Sequence, residues 1–181
     1  MMFPKKGEAR LRALITLALL IAIEVVVARF LSFSQLKTKF SFAFVAVVLA
    51  GRYFGPVGGA LCGGLSDLIG ALLFPIGAYH PGFTLTATLT GLVYGLCFQK
   101  GYRLSRACLA VAYSQVVGTL LLNTLWVYTI AKSSYLVLLT ARLPEFFLMG
   151  TVKLLTITLL LPRLDRWLLP LTQGRGKELR S

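Results

Sequence analysis

Residues 58–94 read GGALCGGLSDLIGALLFPIGAYHPGFTLTATLTGLVY: two apolar segments, laddered with small residues, around a central loop. In the first, Gly59, Gly63, Ser66 and Gly70 recur every three or four positions. Ala87, Gly91 and Gly95 recur every fourth position in and just after the second. That spacing sets each group along one face of a helix. Stripes of small residues let two helix backbones approach closely, the packing expected inside a bilayer. The loop, Phe74-Pro-Ile-Gly-Ala-Tyr-His-Pro-Gly-Phe83, is rich in turn formers and aromatics, and Asp67 is the one carboxylate of the first segment. Small-residue helices on both sides of a stiff aromatic loop predict a shaped pocket and its lid.

The rest of the chain agrees with a membrane setting. Hydrophobic residues make up 57% of the 181 and charged ones 14%. Soluble domains lie nearer ~45–50% and ~25%. Several apolar runs approach the ~20 residues that cross a bilayer as a helix. They do not alternate as the ~10-residue strands of a membrane barrel do. The expected fold is therefore all-α: one polytopic domain over residues 1–181 with six transmembrane helices, near 13–29, 40–51, 57–74, 83–98, 107–131 and 144–162. The first is read as a retained helix and not a cleaved leader, because no small-x-small cleavage pattern follows it. The patch 135–139 is an interfacial turn or a helix extension, and Pro144 suits a first helical turn.

The net charge of +13 does not point to nucleic acid. Six spans put both termini on one side. Thirteen Lys and Arg residues then face the side of the termini and five the other, with Lys153 inside the membrane. That bias places the termini in the cytoplasm. Cys62, Cys97 and Cys108 have no paired spacing and read as packing residues.

Counting from outer helix ends at 29, 73, 130 and 144, Glu24, Asp67, Asn123 and Lys153 lie five, six, seven and nine residues inward. That is roughly 7–14 Å below the outer surface. A lone charge near the bilayer centre costs about 2.5–3.5 kcal/mol on insertion scales. Four polar groups in one layer therefore imply a shared pocket or mutual pairing, such as Lys153 with Glu24 or Asp67. Asn123 and Trp126 share a helix face. With Tyr79, His80 and Phe83 they give the pocket aromatic walls. Arg29 and Arg142 stand at its mouth with Lys37 and Lys39, and a guanidinium is a forked carboxylate clamp. The set suits a flat, polar-edged aromatic ligand with an anionic tail.

No catalytic signature is present. The chain has no Gly-x4-Gly-Lys-Ser/Thr loop, no HExxH, no Ser/His/Asp set and no paired-cysteine site. No cofactor or metal is expected, and the chain does not read as an enzyme.

Several stretches together resemble the S components, the substrate-binding membrane subunits of energy-coupling factor vitamin transporters, and most of all those specific for folate. They are Arg29-Phe-Leu-Ser, Phe54-Gly-Pro-Val-Gly-Gly, Ser66-Asp-Leu-Ile-Gly70, Phe74-Pro-Ile-Gly-Ala-Tyr-His-Pro-Gly-Phe-Thr84 and Leu122-Asn-Thr-Leu-Trp126. At His80 the family tends to carry an aromatic. The resemblance implies a six-helix S-component fold in the cell membrane that captures folate from outside, with loops after helices one and three closing over it. It implies that Ala18 and Ala22 face a shared transmembrane coupling subunit, driven by two ATPase subunits, and that the S component topples to carry its ligand inward. Asp67 would meet the pterin edge among Trp126, Tyr79 and Phe83, and Arg29 and Arg142 would hold the glutamate carboxylates. An S component for riboflavin or thiamine, a small membrane enzyme acting on lipid head groups, and a purely structural subunit are the alternatives. The depth of the carboxylates weighs against the enzyme, and the buried polar layer against a structural role.

Overall fold

The computed structural model describes residues 6–30, 33–35, 38–75, 78–131 and 134–176. Helix α1 (Lys6–Phe30) leads into a short antiparallel hairpin, β1 (Phe33–Gln35) and β2 (Thr38–Phe40), with Phe33 opposite Phe40. Helices α2 (Phe44–Leu73) and α3 (Pro81–Phe98) follow. Then come α4 (Leu104–Tyr113), a π-helical stretch (Ser114–Asn123), α5 (Thr124–Ala131) and α6 (Tyr135–Gly176). The fold is helical, as expected, apart from the hairpin in what reads as a polar connection. Among the described residues, five helical segments, with Leu104–Ala131 taken as one, are long and apolar enough to cross a membrane. Their outward faces carry large apolar side chains such as Leu19, Leu72, Leu109, Phe147 and Leu159. In water such surface would be a liability; against lipid it is ordinary.

The difference between five helices and the expected six lies at Gly55. The segments expected at 40–51 and 57–74 join in α2, but Gly55 has φ 73° and ψ −167°, a conformation essentially confined to glycine. Pro56 follows, with its fixed φ and no donor. The chain reverses there. A Cβ built on Gly59 would sit 3.1 Å from the Cα of Gly51, and one on Gly63 would lie 3.6 Å from Val47 Cγ1. In a straight helix, residues eight apart are ~12 Å apart. Helix α2 is thus two antiparallel arms, 44–54 and 56–73. The first is only ~16 Å long, about half the ~30 Å hydrocarbon core.

The small-residue stripes meet as their spacing predicts. Gly59 lies against the backbone of Gly91, Gly63 against Ala87, and Gly51 against Gly95, where an added Cβ would come 2.7 Å from a backbone nitrogen. Nothing larger than glycine fits at that crossing without moving a backbone. The core beneath it joins Val47, Val48, Cys62, Tyr94, Phe98, Ala107, Ala110, Ile157 and Leu161. The Arg52–Asp165 ion pair (3.0 Å) ties the first arm of α2 to α6, and Arg52 also donates to the Gln99 carbonyl.

Two further boundaries differ from expectation. Helix α6 begins at Tyr135 and not near 144, so of the two readings of the 135–139 patch the helix extension holds. Pro144 therefore lies inside it, and its ring leaves the Thr140 carbonyl without the usual donor. Helix α1 begins at Lys6, well ahead of its apolar run.

Candidate ligand cavity

A cavity of about 480 Å³ opens between the helices, within the usual ~300–1,000 Å³ of small-molecule sites. Its lining on α3 runs from Phe83 to Tyr94, which is ~16 Å along the helix axis. Depth comes from the packing just described. The α2–α3 contact is so close that these two helices form one wall, and α1, the π-helical stretch and α6 close the others. The π-helical stretch contributes Ser114, Gly118, Thr119 and Asn123. Bonds from i to i+5 widen each turn, so positions four and five apart keep facing the same way.

Seven of the residues singled out from sequence line this cavity: Glu24, Arg29, Asp67, Tyr79, Phe83, Asn123 and Lys153. Their shared layer is therefore a shared cavity. Glu24 faces Ser66 and lies within electrostatic range of Asp67 and Arg29. Asp67 Oδ2 accepts from Thr84 Oγ1 at 2.7 Å. The Arg29 guanidinium rests against Gly70, where an added Cβ would come 2.7 Å from its Nε. It makes no hydrogen bond or ion pair among the described residues. The side-chain oxygen of Asn123 is buried and likewise has no hydrogen-bond partner among them. Such an acceptor is costly unless something donates to it.

Lys153 does not pair with Glu24 or Asp67. Its amine donates to Ser114 Oγ (2.9 Å) and Gln115 Oε1 (2.8 Å), and Gln115 is held in turn by donating to the Phe146 carbonyl. An ammonium has three donors, so two uncharged partners leave one for the cavity.

Three of the candidate ligand contacts, Trp126, His80 and Arg142, stand elsewhere. Trp126 is behind the wall: its Nε1 donates to Thr86 Oγ1 at 3.0 Å, and its ring covers Gly82 at the start of α3. His80 stacks on Trp126, centroids 5.0 Å apart, and caps α3 by accepting from the Gly82 N–H. Neither ring lines the cavity. Arg142 points to the Thr119 carbonyl at 3.4 Å instead of a pocket mouth, because α6 starts a full two turns earlier than expected. Lys39 lies in β2, opposite Ser34, and its side chain is outside the described set; Lys37 lies outside the described residues altogether. Ala18 and Ala22 sit on the exposed face of α1.

Sequence reasoning passed over the hydroxyl groups. Thr86, Thr90 and Tyr94 all line the cavity, and their four-residue spacing is visible in the sequence beside the Ala87, Gly91 and Gly95 stripe. Ser114 carries no such signal, because its position depends on the π-helical register.

Two carboxylates, two cations, an orphan amide oxygen and aromatic walls surround an open volume. A family profile described as "ECF transporter, substrate-specific component" matches residues 12–164. This chain belongs to that family. Its members are the substrate-binding parts of transporters, not enzymes. The chain is similar to the "Folate transporter FolT" of Clostridium novyi (strain NT), at 34% identity over 82% of this chain and 87% of the relative. It is similar to the protein of that name in Leuconostoc mesenteroides at 30% identity, over 83% of each chain. Among solved structures it resembles a crystal structure of FolT bound with folic acid, with TM-score 0.72 and 29% identity over 80% of this chain and 88% of that one.

Proposed function

We propose that this chain is the folate-binding subunit of an energy-coupling factor importer in the cell membrane. The observation that carries the reading is the charge layout of the cavity. Arg29 and Lys153 offer positive charge and neither closes an ion pair among the described residues, while Asp67, Glu24 and the orphan Asn123 oxygen offer acceptors. A ligand that matches must carry both an anion and a cluster of N–H donors. A pterin's aminopyrimidine edge supplies the donors and a glutamate tail the anion. Tyr79 and Phe83 supply flat walls, and a cavity some 16 Å deep takes an elongated molecule. Among the relatives, FolT with folic acid bound supports the choice of vitamin.

In this reading Asp67 meets the pterin edge and Arg29 takes a carboxylate, with Lys153 completing the anion site deeper in. Trp126 and His80 shape the wall from behind, and Arg142 braces the π-helical stretch. The basic residues favour cytoplasmic termini, with the two arms of α2 counted as separate crossings. The coupling subunit and two ATPases supply the energy, since the chain carries no phosphate-binding loop.

Isothermal titration of the purified protein with folic acid, riboflavin and thiamine tests the assignment. Tight one-to-one binding of folic acid alone supports it. Preference for another vitamin keeps the family and replaces the ligand. A well-folded sample that binds none of them overturns the reading.

A further inference from the structure

We propose that Thr84 is a positioning residue that holds Asp67 in its binding orientation and links it, through Tyr79, to the loop beside the cavity. The inference rests on the folate reading above and adds Thr84, which does not line the cavity.

Three side chains from three parts of the fold form one line. Thr84 Oγ1 is 2.7 Å from Asp67 Oδ2, and the Tyr79 hydroxyl is 2.9 Å from Thr84 Oγ1. A carboxylate only accepts, and a threonine hydroxyl has one hydrogen. Thr84 must therefore donate to Asp67, which leaves Tyr79 to donate to Thr84. The direction of both bonds follows. Asp67 and Tyr79 line the cavity and Thr84 does not, so Thr84 stands behind the carboxylate.

Its neighbours show the ordinary alternative. Thr86 and Thr88 turn their hydroxyls back onto the carbonyls four residues earlier, at 2.9 and 2.7 Å. That is the usual habit of a helical threonine. Thr84, in the first turn of α3, reaches across to α2 instead. With Oδ2 engaged by Thr84, the other carboxylate oxygen is left to accept from a ligand donor.

Hydrogen bonds in series polarise one another. While Tyr79 donates to Thr84, Thr84 is the better donor to Asp67. The position of the 78–80 segment is thereby linked to how firmly Asp67 is held, and the loop helps to set the release rate of the ligand. An entry effect would act on association; a positioning effect acts on dissociation.

The test uses the purified full chain and folic acid, with equilibrium titration and stopped-flow association and dissociation. T84V keeps the shape of the side chain and removes the hydroxyl. A hydrogen bond to a charged group sets the scale, so dissociation should quicken by about tenfold with association nearly unchanged. T84S should restore binding to within about threefold of the wild type. Y79F should show a smaller increase, and the Y79F/T84V pair should be no worse than T84V, because the relay passes through Thr84. Unchanged dissociation in T84V, no rescue in T84S, or additive losses in the pair overturn the proposal. If T84V does not fold, the Y79F and T84S dissociation rates decide: a quickened Y79F beside a near-native T84S supports the relay, and any other pattern overturns it. Wild-type protein that fails to bind folic acid removes the folate reading and this role with it, whereas wild-type binding with an unaltered T84V removes this role alone.

Discussion

Lys153 donates to Gln115 Oε1 at 2.8 Å, and its other hydrogen bond also goes to an uncharged group, Ser114. A buried cation held by neutral acceptors remains available to an anion. Replacing it with an apolar side chain removes a buried charge that closes no ion pair among the described residues, and such a charge is costly to keep. K153M should therefore weaken folic acid binding by about 10–100-fold, the range for a hydrogen bond to a charged group. Its ligand-free melting temperature should not fall. Equal losses of affinity and stability would make Lys153 a structural residue instead.

Arg29 depends on a glycine across from it. Because an added Cβ at Gly70 would come 2.7 Å from the Arg29 Nε, G70A must displace the guanidinium. Gly70 is helical, so the backbone accepts alanine there. R29A should cost about tenfold or more in folic acid affinity, and G70A a smaller part of it. In an R29A background G70A should cost nothing further, which a double-mutant cycle read by titration will show. Full additivity would mean that Gly70 acts on something other than Arg29.

How much of this was legible in the sequence follows from which forces act locally. The membrane setting, the glycine stripes and the common depth of Glu24, Asp67, Asn123 and Lys153 all depend on spacing along single helices, and spacing is visible. The pairing of Lys153 was not, because the choice among Ser114, Gln115, Glu24 and Asp67 depends on how α6 sits against the π-helical stretch. The start of α6 was hidden for a related reason: Pro144 resembles a helix start, yet α6 runs through it from Tyr135. The three-residue distance from Asn123 to Trp126 reads as one shared helix face. That distance assumes an α-helix, and the register changes where the π-helical stretch ends at Asn123.

His80 has two separable roles, as a cap for α3 and as a plate on Trp126. Asparagine at this position keeps a capping acceptor and loses the stack, whereas phenylalanine does the reverse. The cap is worth about 1 kcal/mol and the stack about 0.5–1.5 kcal/mol. H80N and H80F should each lower the melting temperature, and H80A should lower it by about the sum. Trp126 fluorescence should change in H80N and H80A but little in H80F. Because neither ring lines the cavity, all three variants should lose less folic acid affinity than R29A does.

Ala18 and Ala22 lie one turn apart on the exposed face of α1, away from the cavity. Small side chains at i and i+4 are what a second membrane helix needs for close approach. If the coupling subunit docks there, a bulky side chain should block assembly without reaching the ligand. A18W and A22W should abolish folate uptake in cells carrying the whole transporter, while the purified variants bind folic acid like the wild type. Loss of binding itself would place these alanines in the fold of the subunit, and normal uptake would move the docking surface to another face.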